Sequence, residues 1–135
     1  MLAKPFDLLV VALLSVNSYP MERTLADREA LGKAGLLDIG HVASLEEAEV
    51  THRLRRAGYD RGEFLTELIG SRLSSVSKYL VQIGIEKANK ILEHGPREEV
   101  RSVLINAKGV GPKVIANFLL LRSLELIDAK PGGDA

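Results

Sequence analysis

The chain has 135 residues, with 18 Lys and Arg balanced by 18 Asp and Glu, 46% hydrophobic residues and no cysteine. This length suits one domain with a substantial core, and the hydrophobic content excludes a chain that stays unfolded. Without cysteine there is no disulfide scaffold, thiolate zinc site, cysteine-ligated iron–sulfur cluster or cysteine nucleophile.

The charge is balanced overall but unevenly distributed. Residues 100–124 contain no Asp or Glu, and four positive residues lie among them: Arg101, Lys108, Lys113 and Arg122. A basic segment of this kind predicts a local anion site. The apolar run 8–14 is too short to cross a bilayer, and no small-residue cleavage site follows it. We therefore expect a soluble, cytoplasmic protein with no membrane partner.

Helix start and stop signals recur along the chain, whereas the alternation typical of strands is almost absent. Pro5 and the apolar run 6–16 predict a central, buried first helix. A capping box formed by Ser44 and Glu47, with Gly58 as terminator, predicts a helix over 45–57. The other helices are expected from Ser18 or Pro20 to Gly32 or Gly35, over 61–73, from a restart at Ser74–Ser77 to residue 94, over 97–107 and over 112–125.

These elements predict an all-α fold, a compact bundle of about seven helices. We expect a single helical domain over 1–128, in which two helices joined by a short turn occupy about 97–124. Residues 129–135 are expected to form a flexible tail.

The turn near residue 109 is the most informative feature of the sequence. Gly109 and Gly111 bracket Val110, and a helix begins at Pro112. Glycine permits positive φ and close approach of a ligand to the backbone, and a helix N-terminus offers unpaired amides. Together they predict a seat for one phosphate, flanked by Lys108 and Lys113. An ordinary turn between two helices remains the alternative interpretation.

The run Gly109–Val114 resembles the helix–hairpin–helix of the DNA glycosylase superfamily that includes endonuclease III and 8-oxoguanine glycosylase. Ala107-Lys108 replaces the Leu-Pro of the family pattern. Residues 5–17 resemble the opening core helix of that family and the loop after it, and residues 54–73 loosely resemble the helix pair before the hairpin. The resemblance covers most of the chain, strongly at residues 5–17 and 104–121 and loosely between them, and corresponds to the core lobe of the family only.

This resemblance implies a DNA-repair function in base excision. In the family, hairpin amides hold a phosphate of the damaged strand of duplex DNA. A polar residue fills the gap left by the extruded base, and Asn17 occupies that place. By position the DNA-binding residues are Lys108, Gly109, Val110, Gly111 and Asn17. The family often binds a monovalent cation at hairpin carbonyls, here a structural Na+ or K+ at Ile105, Ala107 and Val110. No cofactor is required, and no iron–sulfur cluster is expected.

The resemblance also implies a catalytic pair. Lys113 occupies the place of the lysine that forms a Schiff base in the bifunctional glycosylases. A lysine amine attacks a sugar carbon only after losing its proton, and the positive end of a helix dipole disfavours the protonated form. The family places an aspartate about 18 residues later. Asp128 lies fifteen residues after Lys113 and is the nearest candidate; a surface role in the tail is its alternative.

Three functions remain open from the sequence. The first is a DNA glycosylase with associated lyase chemistry, whose damaged base the sequence does not specify. The second is a non-catalytic helix–hairpin–helix module that binds DNA. The third is a helical protein-interaction domain. The family closes its cleft with a second lobe. We therefore expect either that a second subunit or a homo-oligomer completes the cleft, or that the protein binds DNA without cutting it.

Overall fold

All regular structure in the described part of the chain is α-helical. The computed structural model describes the backbone of residues 4–129 and the side chains of residues 4–124. Within these residues there is no strand, and there are nine helices: α1 Pro5–Leu14, α2 Met21–Ala26, α3 Arg28–Lys33, α4 Ile39–Ser44, α5 Glu47–Arg56, α6 Glu63–Ile83, α7 Ile85–His94, α8 Arg97–Leu104 and α9 Pro112–Ala129. The all-α prediction is confirmed.

The helix count is higher than predicted because one expected helix is divided and one was missed. Asp27, with φ −91° and ψ 2°, ends α2 and precedes α3, so the expected second helix bends into two. The short helix α4 had no sequence prediction. Its N-cap is Asp38, whose side chain accepts a hydrogen bond from the His41 amide at 2.9 Å.

The predicted break at Ser74–Ser77 is wrong, and the chain breaks at Gly84 instead. Ser77 is buried and donates its hydroxyl to the Leu73 carbonyl at 2.9 Å, so its polar group is satisfied inside a continuous helix α6. Gly84 has a φ of 109°, which ends α6 and starts α7 in a new direction.

The glycine at the end of α5 is predicted correctly. The capping box predicted at the start of that helix is wrong. Gly58, at φ 97°, follows the end of α5, and the Tyr59 amide donates to the Leu54 carbonyl at 2.9 Å, a Schellman arrangement. Ser44 does not cap α5. It ends α4, with its hydroxyl bonded to the His41 carbonyl at 2.6 Å.

Helix α1 lies at the centre of the bundle, as its apolar sequence predicts. Every one of its residues from Leu8 to Leu14 is buried, and it packs against α2, α6, α7 and α9. Helix α6, about 31 Å long, packs on its other side against α4 and α5. Residues 130–135 of the expected tail lie outside the described residues, and residue 129 belongs to α9. No helix in the described ranges is long and apolar enough to span a membrane.

Candidate functional site

The turn between α8 and α9, residues 105–111, is anchored to the core by two buried residues. The Ala107 amide donates to the Leu104 carbonyl at 3.0 Å, and the Val110 amide donates to the Ala107 carbonyl at 3.1 Å. The side chains of Ala107 and Val110 are both buried. Val110 therefore contributes packing to the turn, and its amide is already used.

The two glycines of the turn have different roles. Gly109 has a φ of 86°, and a Cβ at this position would lie 2.5 Å from Cγ of Arg72 on α6. Glycine is thus required for the turn and for its close packing on the Arg72 side chain. Gly111 has no positive φ, and a Cβ there would meet no atom within 4 Å. The backbone at Gly111 is consequently open to an incoming ligand.

Five backbone amides of the described chain have no acceptor at this end of α9, and one of them belongs to the buried Val114. Within the described residues, no protein acceptor receives the amides of Lys108, Gly109, Gly111 and Lys113. Three of these residues are exposed, and Gly111 is half-buried. Because the positive end of the α9 dipole lies at the same place, the arrangement favours an anion.

One of the four positive side chains of this segment forms hydrogen bonds within the protein, and the other three are exposed. Arg122 donates to the carbonyls of Leu92 and Gly95 at 3.2 and 2.8 Å, so it stabilises the C-terminal end of α7. Three cationic side chains of the segment are exposed: Arg101, Lys108 and Lys113. None of the three makes an ion pair with a described residue, and residues 100–124 contain no acid.

The loop after α1 holds Asn17 in an uncommon conformation. Asn17 and Ser18 have φ values of 56° and 69°, and Asn17 is exposed. The guanidinium of Arg61 fixes the loop, because Nη1 donates to the Val16 carbonyl at 2.6 Å and Nη2 donates to the Asn17 carbonyl at 2.7 Å. Backbone strain that the surroundings hold in place is typical of functional sites.

Two tyrosines hold Arg61 in position. The Arg61 guanidinium lies 4.7 Å from the centre of the Tyr19 ring, and Tyr19 packs edge-on against Tyr59 at 5.1 Å. The Tyr59 hydroxyl donates to the Leu14 carbonyl at 2.6 Å. Burial raises the pKa of Tyr59, so the phenol keeps the proton that this bond needs. No local sequence pattern indicated these contacts, which join residues up to 45 positions apart.

Asn117 joins α9 to the C-terminal end of α1, just before the Asn17 loop. Its side-chain Nδ2 donates to the Ala12 and Ser15 carbonyls at 3.3 and 3.4 Å. Lys113 lies one helical turn before Asn117, about 6 Å along the axis. Asn117 therefore ties the first half of α9 to the segment that precedes Asn17.

The structure separates the expected catalytic pair. Lys113 and Asp128 belong to the same continuous helix, α9, fifteen residues apart. At 1.5 Å per residue their backbones lie about 22 Å apart, beyond the reach of both side chains. The Asp128 side chain lies outside the described residues. An assisting role of Asp128 toward Lys113 of its own chain is thus wrong for this geometry.

The expected cation ligands are partly occupied. The Ala107 carbonyl already accepts the Val110 amide, whereas the Ile105 and Val110 carbonyls accept no backbone amide in the described structure. A Na+ or K+ ion at these carbonyls stays a prediction. Among the described side chains, no group of three or more His, Cys, Asp or Glu is arranged to hold a metal ion.

Comparison with known proteins gives no independent assignment. No protein-family model matches the chain, and neither a search of curated proteins nor a search of solved structures found a significant match.

Proposed function

We propose that this protein binds the sugar–phosphate backbone of duplex DNA through the turn 105–111 and the first turn of α9. In this proposal the turn is a helix–hairpin–helix motif, and the protein is a repair protein related to the DNA glycosylases. The observation that carries the proposal is the set of unused amides at Lys108, Gly109, Gly111 and Lys113, on an exposed turn without acidic neighbours in sequence.

The loop after α1 supports the same proposal. Asn17 is exposed, held in a left-handed conformation by Arg61 and linked through Asn117 to the helix that carries Lys113. An exposed polar side chain on a loop whose backbone is held in place suits the filling of a gap in the base stack, where an extruded nucleotide leaves its partner unpaired.

The test is DNA binding as a function of salt. Fluorescence anisotropy of a labelled duplex carrying an abasic-site analogue is measured for the wild type, Lys108→Gln and Lys113→Gln. Each variant is expected to bind more weakly. The negative slope of log K against log salt is expected to become shallower by about 1, because one phosphate contact is lost. The matched control is Lys90→Gln, which changes an exposed lysine of α7. This variant is expected to bind like the wild type.

Backbone binding at this turn would be contradicted if the wild type failed to bind DNA at low salt. It would also be contradicted if Lys90→Gln lowered the slope as much as the two variants at the turn. A stable oligomer without any DNA affinity would instead support a protein-interaction domain.

Excision with lyase chemistry is the second candidate. It is favoured by one observation: Lys113 is exposed in the first turn of α9 and makes no ion pair within the described residues. Its neutral amine would attack C1′ of the damaged nucleotide, displace the base and form a Schiff base after ring opening.

Borohydride reduction separates the two candidates. With an abasic duplex, an enzyme that uses Lys113 is expected to give a covalent complex that disappears in Lys113→Gln and persists in Lys108→Gln. If the protein binds DNA in a salt-sensitive way but gives no trapped complex on abasic or lesion-bearing duplexes, it is a DNA-binding module without catalytic activity.

A further inference from the structure

The outward face of α9 lacks the charges expected of a helix surface in water. Six of its described residues are exposed, and only the first turn carries a charge among them: Pro112, Lys113, Ala116, Leu120, Ser123 and Leu124. Leu120 and Leu124 are 50% and 48% exposed. Solvent-facing helix surfaces are normally charged or polar, so this face is suited to a partner.

The spacing of the exposed residues matches a helix–helix seam. Lys113, Ala116, Leu120 and Ser123 follow one another at intervals of three, four and three residues, as in nearly antiparallel helix pairs. The small side chains of Ala116 and Ser123 lie on either side of Leu120 and leave room for a leucine from a second helix.

The apolar surface continues from α9 to Ile105, the residue that follows α8. Ile105 is 48% exposed beside a groove of about 470 Å³. The groove is lined by Arg101, Ser102, Ile105, Pro112, Ile115 and Ala116. A partner helix that packs on the leucines of α9 would lie beside this groove.

The charges along α9 favour an antiparallel copy of the same helix as the partner. The beginning of the helix carries Lys113 and the positive end of the dipole, whereas its last turns contain Glu125 and Asp128. An antiparallel copy of the same helix sets each acidic end against a basic end, and the two dipoles oppose one another.

We infer that a second copy of this chain docks antiparallel along α9, with the two-fold axis beside Leu120. In that register Ala116 faces Leu124 of the partner subunit, and Pro112 faces position 128. The acidic position that lies about 22 Å from Lys113 within one chain is thereby brought next to Lys113 across the dimer. The value of this for catalysis rests on the proposed function, whereas the dimer itself does not.

The native chain contains no cysteine, so single cysteines report the register directly. Leu120→Cys is expected to form a disulfide-linked dimer under mild oxidation, and a mixture of Ala116→Cys with Leu124→Cys is expected to form the mixed dimer. Val81→Cys, at an exposed apolar position on α6, is the matched control and is expected to remain monomeric on a denaturing gel.

Sedimentation velocity tests the interface without cross-linking. The wild type is expected to sediment as a dimer, and Leu120→Glu and Leu124→Glu as folded monomers, since both side chains are exposed in one chain. Leu68→Glu, an exposed leucine of α6, is expected to remain dimeric.

Carbodiimide coupling tests the contribution of the partner to the site. A covalent dimer is expected for the wild type and lost in both Lys113→Gln and Asp128→Asn, because the bond joins these two side chains. A coupled dimer that survives both substitutions would overturn this contact.

A monomeric wild type, or Leu120→Cys that cross-links no faster than Val81→Cys, would overturn the dimer. Salt-sensitive DNA binding by such a monomer would leave the proposed function intact. Correct cross-linking in a protein without DNA affinity would leave the dimer standing and remove the repair function.

Discussion

At the scale of single residues, Gly109 and Gly111 look equivalent in the sequence and differ in the structure. Gly109 has a positive φ and packs against the Arg72 side chain, so the folded state needs it. Gly111 has neither constraint. Its lack of a side chain is useful only if something approaches the backbone from outside.

This difference predicts that one alanine substitution lowers stability and that the other weakens DNA binding. Gly109→Ala is expected to lower the free energy of unfolding by about 1 to 2 kcal/mol, because a non-glycine residue is strained at positive φ. Gly111→Ala is expected to leave unfolding by urea nearly unchanged and to weaken DNA binding, since the added methyl group occupies the approach to the open amide. Circular dichroism and the anisotropy assay measure both quantities. A Gly111→Ala protein that binds DNA like the wild type would place the phosphate elsewhere.

At the scale of helices, close approach decides which elements pair. Helices α5 and α6 meet where Gly70 faces Thr51, and a Cβ at Gly70 would overlap the Thr51 hydroxyl and lie 3.3 Å from its Cα. Gly70 is buried in the middle of α6, where glycine is unfavourable for helix formation itself. Contact between helices therefore explains this glycine better than local conformation does.

The contact predicts coupling between the two positions. Gly70→Ala is expected to destabilise the protein by about 1 to 3 kcal/mol through overpacking. Thr51→Ala removes the hydroxyl and is expected to recover part of that loss in the double variant. The coupling energy from a double-mutant cycle by urea unfolding measures this recovery. Strictly additive effects would show that the helices move apart freely.

For the protein as a whole, a partly buried carboxyl links folding to pH. Burial raises the pKa of Asp7 above its ordinary value of 3.8, and the Lys4 backbone and Arg28, 4.0 Å away, only partly offset this. The folded state therefore holds the Asp7 proton more tightly than the unfolded state. The resulting stability is present below pH 3.8 and is lost as the pH rises through the folded pKa.

Asp7→Asn removes this dependence because asparagine does not ionise. The unfolding free energy of the variant minus that of the wild type is expected to increase as the pH rises from below 3.8, and then to level off. Urea unfolding across an acidic pH series measures it. Glu49, whose pKa is lowered by its hydrogen bond to Arg53, has the opposite pH dependence but is present in both proteins and cancels. A pH-independent difference would contradict the inferred burial effect.

Features that depend on a few neighbouring residues could be predicted without the structure. The all-helical class, the buried first helix, the glycine ends at Gly35 and Gly58 and the turn before Pro112 were all predictable. Each of these depends on hydrogen bonds or steric limits that span four or five positions. Local signals failed where burial overrode them, as at Ser77, which continues α6 although serine often marks a helix start.

Contacts between residues that are far apart in the chain could not be predicted in this way. Arg61 reaches the Asn17 loop across 44 positions, and Asn117 reaches α1 across more than 100. Conversely, the continuity of α9 keeps Lys113 and Asp128 apart although they are close in sequence. Contacts between distant segments follow from how the helices pack around α1, and no pattern within a short window of sequence contains that information.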